Sequence, residues 1–500
     1  MPTRVGLIEL PALKLLDGQG LNWTALRQSE PLASKQILLA QLLHEGFDAS
    51  LVDLKDAVSE WKFGETTWRG RRLTKVAVGR SWTELDPREF EVWGVTINYL
   101  QEREIACEAI SYLARGGGRV VVGGSDAFAE PEPYLRAGAD VVIRDKSGAA
   151  NVAAIRWLAG GGSADDLTGV ALADGTARPA RRPPMSPQEW PVPDVSVVQQ
   201  TLGTEYWEAP LPESLKPIGV SMLDLGCDRH CDFCETPTYR LGYKAMTPER
   251  ADEWLTAQRD AGARSVIILS DQFLGRVLWP DGREKILQIM AAARRLGIAV
   301  LWGNGIEINK ATLGRGKRDS DKTPDEELVS ALWGWDGQTG CAQVYVPAER
   351  PSAGPTSYEK LMPWRQHVTM MEAITKAGVP DINYGVIVGL PEDSDQELKR
   401  TLELVHEVRD RLLGINPKLR FRVMPFALRP LPGTPQSEQL KRHKLLRFDD
   451  SAILGGFWTA CADTRHLSYE QVSDWQTRFI EEINGADSVK KDWQGVTALY

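Results

Sequence analysis

Three cysteines fall within eight residues near the middle of the chain. Cys227, Cys231 and Cys234 have a Cys-x3-Cys-x2-Cys spacing, with Phe233 beside the last of them. Thiolates at these offsets converge on one metal centre only if the segment curls round it as a loop. A zinc site needs a fourth ligand, and His230 is an awkward one because it adjoins Cys231. A 4Fe-4S cluster held by three thiolates leaves one iron open to a small molecule, which makes it a reaction site.

The bulk composition favours several domains and a small-molecule site. The chain has 500 residues, a formal net charge of −9 and a pI near 5.5, which argues against nucleic acid or an anionic membrane as the main partner. No apolar run approaches the length of a membrane span, and the apolar stretch at the N-terminus is too short for a signal peptide. Six cysteines are too few for a disulfide framework. We therefore expect a cytoplasmic protein that acts on a small-molecule substrate.

Strands alternate with helices over residues 1–160. Strands are predicted at residues 4–10, 49–54, 92–99, 119–122 and 139–144, and helices at 35–43, 102–114 and 149–159. This alternation predicts a doubly wound parallel sheet, which binds ligands beyond the carboxyl ends of its strands. The candidate ligand residues in the loops that follow the strands are Asn98, Tyr99, Gly123, Gly124, Ser125 and Asp126, together with the loop 144–148.

Two segments interrupt this alternation. Residues 61–80 carry aromatic and cationic side chains, with Arg69 in their centre, and are expected to form a hairpin. The hairpin either brings its cations over the sheet edge or is a solvated ribbon. Residues 161–215 are rich in Gly, Pro and Ala and are predicted to be a linker.

The alternation resumes over residues 216–438. Strands are predicted at 218–223, 265–269, 299–302, 342–346, 383–388 and 420–425, and helices at 248–260, 283–296, 324–333, 358–377 and 395–412. Six β/α units predict a partial barrel with its active site at the carboxyl ends of the strands. The cysteine motif directly follows the first of these strands. Residues 439–500 are expected to form a small, mostly helical cap, with a helix at 469–483.

The cysteine motif resembles that of the radical S-adenosylmethionine (SAM) superfamily. Further segments are similar to family patterns in chain order: Asp271 and Gln272 after the second barrel strand, Glu349 at the end of the fourth, Val388 in the fifth, and residues 432–435 after the sixth. The resemblance implies a 4Fe-4S cluster on Cys227, Cys231 and Cys234, SAM bound to its open iron, and an external electron donor. Phe233 and Glu307 are further candidate contacts for cofactor or substrate.

The N-terminal half resembles the cobalamin-binding domain of one radical SAM subgroup. Residues 123–126 stand where that subgroup has a Gly-Gly-Pro-His type loop, and Arg-Asp-Lys-Ser-Gly at 144–148 replaces Arg-Gly-Glu-Gly-Glu. No histidine lies in an Asp-x-His-x-x-Gly frame, so no imidazole ligand is expected on the lower face of cobalt. By resemblance, Arg69 is the candidate for the space beneath cobalt, where a positive charge favours Co(I).

These resemblances imply a cobalamin-dependent methyltransferase that methylates a carbon of a small molecule in antibiotic or other natural-product biosynthesis. Within the family, the chain resembles the tryptophan 2-C-methyltransferase of thiopeptide biosynthesis, and this resemblance suggests C2 of L-tryptophan as the acceptor. Two alternatives stay open. One is a radical SAM enzyme that catalyses dehydration, epimerisation or cyclisation and keeps the N-terminal domain as a scaffold. The other is a non-enzymatic iron-sulfur or zinc binding module.

Overall fold

Most strands of the computed structural model belong to two large sheets. The structure describes residues 2–24, 29–181, 183–206, 211–354 and 358–485. The strands are β1 Arg4–Glu9, β2 Ala12–Leu16, β3 Asp48–Asp53, β4 Glu60–Trp68, β5 Arg71–Val78, β6 Val92–Thr96, β7 Val120–Gly123, β8 Val141–Ile143, β9 Val170–Leu172, β10 Ala177–Arg178, β11 Ile218–Ser221, β12 Asp224–Leu225, β13 Lys244–Ala245, β14 Ser265–Ile268, β15 Ala299–Trp302, β16 Gly340–Glu349, β17 Asp381–Val388 and β18 Arg420–Ala427. The helices are α1 Ala33–His44, α2 Arg103–Arg115, α3 Ser125–Ala129, α4 Glu132–Ala137, α5 Asn151–Leu158, α6 Val195–Thr201, α7 Pro248–Asp260, α8 Gly282–Arg295, α9 Glu326–Trp333, α10 Trp364–Lys376, α11 Asp395–Ile415, α12 Pro435–Arg442, α13 Ser451–Leu454 and α14 Tyr469–Ile483.

The N-terminal sheet has the strand order β10-β9-β8-β7-β6-β1-β3. The five neighbouring strands β3, β1, β6, β7 and β8 pair in parallel. Alternate residues of each strand enter different apolar layers: Val120 and Val122 pack with α2 on one face, and Val121 packs with α1 and α5 on the other. Helices on both faces explain why these strands are apolar throughout. The predicted doubly wound sheet is confirmed.

The segment 161–215 is more ordered than the linker that we predicted. Within it, β9 and β10 extend the N-terminal sheet by antiparallel pairing, and α6 packs against α1 and α7. Val170 and Leu172 are buried in the same apolar layer as Val141 and Ile143 of β8, and this burial outweighs the Gly and Pro content around them. Residues 182 and 207–210 of this segment lie outside the described residues.

The hairpin predicted at residues 61–80 is confirmed by β4 and β5, but its surroundings differ from both expectations. It pairs with β2 as a separate sheet of order β2-β5-β4. The fully buried Trp68 donates from Nε1 to the carbonyl of Ala460 at 2.9 Å. Arg69, in the turn, has a φ of 51° and pairs with Asp474 at 2.7 Å. The hairpin therefore packs against the C-terminal region.

The second sheet contains the six predicted strands in chain order, β11-β14-β15-β16-β17-β18, all parallel. This is the expected partial barrel. The antiparallel ribbon of β12 and β13 was not predicted, and it follows β11 directly. Helix α14 lies across β18, where Gln476 donates to the carbonyl of Pro425 at 2.8 Å. The last part of the predicted cap, residues 486–500, lies outside the described residues.

No helix in the described ranges is both long and apolar enough to cross a membrane.

Candidate active site

The cysteine loop, residues 226–235, follows β12 at the carboxyl edge of the barrel. It starts at Gly226, whose φ is 79°, and a Cβ there would lie 1.8 Å from the carbonyl oxygen of Gly242. Only glycine accommodates this approach. The Gly226 N–H donates to the carboxylate of Asp271 at 2.7 Å. Burial raises the pKa of Asp271 to about 6, although this hydrogen bond acts to lower it. The loop after the second barrel strand thus anchors the start of the cysteine loop.

A charge network holds the cysteine loop in place. It is formed by Arg229 and Asp228 of the loop with Glu307, Lys310 and Gln272. Arg229 Nη2 donates to Glu307 at 2.6 Å, and Gln272 Nε2 donates to the same carboxylate at 2.7 Å. The Lys310 ammonium, fully buried, lies 3.4 Å from Glu307 and also pairs with Asp228. Burial would lower the pKa of Arg229, but its carboxylate neighbours, Glu307 foremost, together outweigh burial and raise that pKa. Glu307, predicted to contact SAM or substrate, is therefore engaged with the protein itself.

The three thiols of the cysteine loop are half-buried and free. Burial raises the pKa of the Cys227 thiol to about 11 and that of the Cys231 thiol to about 12. Cys227 Sγ accepts a hydrogen bond from the Arg229 backbone N–H at 3.4 Å. Within the described ranges, no three His, Cys, Asp or Glu side chains already stand as a metal-binding group. Three soft sulfur donors on one glycine-anchored loop, with an N–H directed at a sulfur, fit an iron-sulfur cluster.

A second ion pair lies near Cys231 and Cys234. Glu349 ends β16 with a φ of 55°, and its carboxylate pairs with Lys360. The Lys360 ammonium lies 5.4 Å from the ring centroid of Phe233. Its charge acts to lower the pKa of the Cys231 thiol, against the larger effect of burial. Burial would lower the pKa of Lys360, but Glu349, Cys231 and Cys234 together outweigh burial and raise that pKa. Two predicted site residues, Phe233 and Glu349, are therefore neighbours of the thiols.

A cavity of about 630 Å³ lies between the carboxyl edges of the two sheets. From the N-terminal sheet it is lined by Thr96, Asn98, Tyr99, Gly123, Gly124, Ser125, Ile143, Asp145, Lys146, Ser147 and Gly148. From the barrel and the cysteine loop it is lined by, among others, Met222, Phe233, Cys234, Glu235, Tyr239, Asp271, Asn304, Tyr345, Glu349, Ile387, Phe426 and Arg429. Both groups lie where parallel sheets and barrels bind their ligands.

The cavity comes close to the backbone at Gly123 and Gly124. Gly124 has a φ of 104°, and a Cβ there would lie 2.0 Å from the carbonyl oxygen of Ile97. At Gly123 a Cβ would meet only Ile143, at 3.9 Å. Gly124 is therefore required by the turn, whereas Gly123 keeps a space free on the cavity wall.

Tyr239 joins the two halves of the cavity wall. Its ring packs edge-on against Phe128 of α3, the helix that follows β7, with centroids 5.0 Å apart, and its hydroxyl pairs with Glu235 of the cysteine loop. The Lys146 ammonium lies 5.3 Å from the Tyr239 ring and donates to Ser125 Oγ at 2.9 Å. Tyr239 thus connects the cysteine loop to the elements that follow strands β7 and β8 of the N-terminal sheet.

An aromatic wall, formed by Tyr345, Phe426 and Phe457, closes the barrel side of the cavity. The ring centroids of Tyr345 and Phe426 are 6.1 Å apart, and those of Phe426 and Phe457 are 5.1 Å apart. The Arg429 guanidinium lies 4.0 Å from the Phe457 centroid. This part of the cavity combines flat apolar surfaces with one cation, a combination that can hold a planar ligand.

The structure brings most of the predicted site residues to this cavity and leaves others outside its lining. Asp126 is buried beside α2, where Arg103 and Tyr134 donate to its carboxylate. Val388 is fully buried in the barrel core, and its neighbour Ile387 lines the cavity instead. Arg69 packs against Asp474 as described. The outside residues also include Gln272 and Glu307, which belong to the charge network.

Sequence reasoning missed the aromatic wall and the junction residue Tyr239. Phe426 and Tyr345 lie in strands whose apolar pattern is that of any core strand, so no local signal separates them from the core. Phe457 follows Gly455-Gly456, a turn signal that marks a loop but not its position.

The described geometry agrees with a comparison to known proteins. Residues 225–405 match the radical SAM superfamily. The chain carries a radical SAM domain. The matched range begins two residues before Cys227 and ends within α11, so it includes the cysteine loop and four of the six barrel strands, β14 to β17. A radical SAM domain implies a 4Fe-4S cluster and SAM as cofactors, in agreement with the donor set on the cysteine loop.

Solved structures match the fold over nearly the whole chain. OxsB, a cobalamin-dependent SAM radical enzyme with aqua-cobalamin and SAM bound, is 13% identical, with 98% of this chain and 68% of that chain covered and a TM-score of 0.65. TsrM, a radical SAM methyltransferase from Kitasatospora setae with cobalamin and a 4Fe-4S cluster bound, is 13% identical, with 96% and 85% covered and a TM-score of 0.60. No curated protein matches the chain. At these identities the likeness shows a shared fold.

Proposed function

We propose that this protein is a cobalamin-dependent radical SAM methyltransferase that methylates a carbon of a small molecule. The observation that carries the proposal is the cavity of about 630 Å³, which the carboxyl edge of the N-terminal sheet and the cysteine loop line together. A cofactor held by the first would face SAM held by the second. The cluster would supply electrons, SAM the methyl group, and cobalamin the means of passing that group to the substrate.

The proposed cobalamin contacts are the cavity-lining loops of the N-terminal sheet. Asn98, Tyr99, Gly123, Gly124 and Ser125 lie at the ends of adjacent parallel strands. The two glycines allow a large planar ligand to approach the backbone closely. Under this proposal residues 1–160 form most of the cobalamin-binding domain, with β9 and β10 added from the segment 161–215, and residues 216–438 form the barrel.

The proposed cluster and SAM contacts lie on the opposite side. Cys227, Cys231 and Cys234 would hold the cluster, while Asp271, Glu349 and Phe233 line the cavity or its edge nearby. We assign Gln272 and Glu307 a supporting role, because the Glu307 carboxylate already accepts from Arg229 and from Gln272.

We further propose an aromatic substrate. L-Tryptophan is the first compound to test, with C2 as the methylated carbon. The aromatic wall and the Arg429 cation would suit a flat ring that carries a carboxylate. The TsrM structure with tryptophan and aza-SAM bound has the same fold, with a TM-score of 0.58. Arg69 has no part in this proposal, because its guanidinium is held by Asp474 and Ser473 on α14.

The test begins with anaerobic reconstitution of the chain with iron, sulfide and hydroxocobalamin. We expect bound cobalamin in the absorption spectrum and transfer of label from methyl-labelled SAM to a carbon of the substrate, assayed over a panel that includes tryptophan. A triple variant with Cys227, Cys231 and Cys234 changed to Ala is the control. It should lose the cluster and turnover but keep cobalamin, because the two binding sets lie on different sheets. A reconstituted chain that binds no cobalamin contradicts the proposal.

A second candidate is a radical reaction without methyl transfer, such as dehydration, epimerisation or cyclisation. The OxsB match favours it, since that protein is described as a radical enzyme and its match covers 98% of this chain. The same incubation separates the two. Substrate conversion with stoichiometric 5′-deoxyadenosine and no labelled product would support the radical reaction alone.

A further inference from the structure

Lys146 is a cation of the cavity wall with few partners of its own. It lies in the loop after β8, residues 144–148, and is half-buried. Its hydrogen bond within the described ranges goes to the neutral Ser125 hydroxyl at 2.9 Å, and the Tyr239 ring lies 5.3 Å from the ammonium. An ammonium group has three N–H donors. The remaining donors are therefore left for a ligand in the cavity that Lys146 lines.

The carboxylates around Lys146 are committed to other donors. Asp145 accepts from the N–H groups of Ser147 and Ala150, each at 2.9 Å, and so closes its own loop. Glu235 accepts from the Tyr239 hydroxyl, and Asp271 accepts from the Gly226 N–H. These charges act on Lys146 at longer range, yet burial outweighs them and lowers its pKa. A partly dehydrated cation of this kind favours an anionic ligand.

The loop that carries Lys146 is held in place by neighbouring elements. Trp190 Nε1 donates to the carbonyl of Ser147 at 2.9 Å, and Gln41 Nε2 donates to that of Gly148 at 3.0 Å. The Met185 N–H donates to Ser147 Oγ at 2.9 Å. With its loop fixed in this way, the ammonium is available to a ligand without prior ordering of the backbone.

We infer that Lys146, together with Ser125, binds the phosphodiester of the cobalamin nucleotide loop. This inference rests on the proposed function, because it requires cobalamin in this cavity. The amides around the corrin ring are neutral, and the phosphodiester is the anion of the cofactor's periphery. Lys146 lies in the loop after β8 and contacts Ser125, the residue after Gly123 and Gly124, where the proposed cobalamin contacts are. A charge-assisted hydrogen bond to phosphate is stronger than one between neutral groups.

The experiment compares cobalamin with cobinamide, which keeps the corrin ring and lacks the nucleotide and its phosphate. Dissociation constants of the reconstituted chain are measured from absorbance titrations for both corrinoids. We expect Lys146→Met to weaken hydroxocobalamin binding on the order of tenfold and to leave cobinamide binding nearly unchanged. Lys146→Arg should keep most of the preference for cobalamin. The matched control is Arg144→Met, which removes a neighbouring cation that is exposed and bound to the Phe128 carbonyl.

The outcomes distinguish this inference from the function on which it rests. If the wild type binds both corrinoids and Lys146→Met weakens both equally or neither, the inference is overturned while cobalamin binding stands. If Lys146→Met weakens SAM binding in equilibrium dialysis and keeps the preference for cobalamin, the anion is the SAM carboxylate and the inference is overturned. A wild type that binds neither corrinoid overturns both proposals. Loss of the preference in Lys146→Met alone supports the phosphodiester assignment.

Discussion

The cysteine loop and the loop 144–148 face the same cavity but differ in how their charged side chains are paired. In the cysteine loop, Arg229 is paired with Glu307. The same carboxylate accepts a hydrogen bond from Gln272 and forms an ion pair with Lys310. In the loop 144–148, Lys146 has a hydroxyl and an aromatic ring as partners. Charges that satisfy one another fix the backbone of a loop, whereas a cation with spare donors is suited to a ligand. The comparison separates residues that hold the site together from residues that bind its occupants.

The largest effect should follow from removing a cysteine. Single substitution of Cys227, Cys231 or Cys234 by Ala removes one of three thiolates, and we expect loss of stoichiometric iron and of all turnover, because no fourth thiol lies on the loop. Iron analysis and electron paramagnetic resonance of the reconstituted variants measure this. Lys146→Met should retain the full iron content in the same assay. Activity that survives in any cysteine variant would refute the cluster assignment.

The charge network should matter chiefly for stability. Glu307 is 3% exposed, and Glu307→Gln leaves Arg229 and the fully buried Lys310 without that charge. Breaking a buried ion pair on one side costs about 3 kcal/mol or more. We expect a clearly lower thermal midpoint for the barrel in scanning calorimetry and weaker cluster retention.

The matched control for Glu307 is Glu359→Gln. Glu359 pairs with the same guanidinium at 3.4 Å, but its side chain is 74% exposed. An exposed pair contributes roughly 0–1 kcal/mol, so the midpoint should barely move. Equal effects of the two substitutions would show that the charge network does not brace the loop.

Substitutions at two adjacent glycines of the proposed cobalamin site should have different effects: one strains the backbone, and the other fills space in the cavity. Gly124→Ala puts a Cβ 2.0 Å from the Ile97 carbonyl at a φ of 104°, so we expect a loss of about 2 kcal/mol in stability. Gly123→Ala meets only Ile143, at 3.9 Å, and should fold normally. Its methyl group lies on the cavity wall, so cobalamin binding should weaken severalfold in the absorbance titration. Normal cobalamin binding by Gly123→Ala would place the corrin ring elsewhere.

Local sequence signals predicted the two sheets and the cysteine loop, because strand and helix periods and the cysteine spacing are contained within short segments. Contacts between distant segments could not be predicted in this way. Trp68 donates to Ala460, 392 residues along the chain, and Arg69 pairs with Asp474, 405 residues along it. No local pattern points to either partner. Glu307 was expected at a ligand for the same reason: its strand-end position was visible, whereas Arg229 and Gln272 beside it were not.

The smallest effect concerns a buried carboxylate that, unlike Glu307, has a single cationic partner. Asp393 accepts from the N–H groups of Gly389 and Leu390, each at 2.9 Å, and pairs with Arg350. Burial nevertheless raises its pKa to about 6. Between its unfolded pKa, about 4, and pH 6 the native state therefore binds more protons than the unfolded state, so this residue makes stability fall as the pH rises.

Replacing Asp393 by Asn should remove that fall. The wild type should lose up to about 1.4 kcal/mol of stability per pH unit through this group, and the variant should not. The measurement is urea unfolding of both proteins at several pH values from 4.5 to 6.5. The free energy of unfolding of the wild type minus that of the variant should decrease as the pH rises, because the ionised carboxylate is the costly form in this site. A difference that is the same at every pH would reflect only the lost Arg350 pair and would contradict the titration.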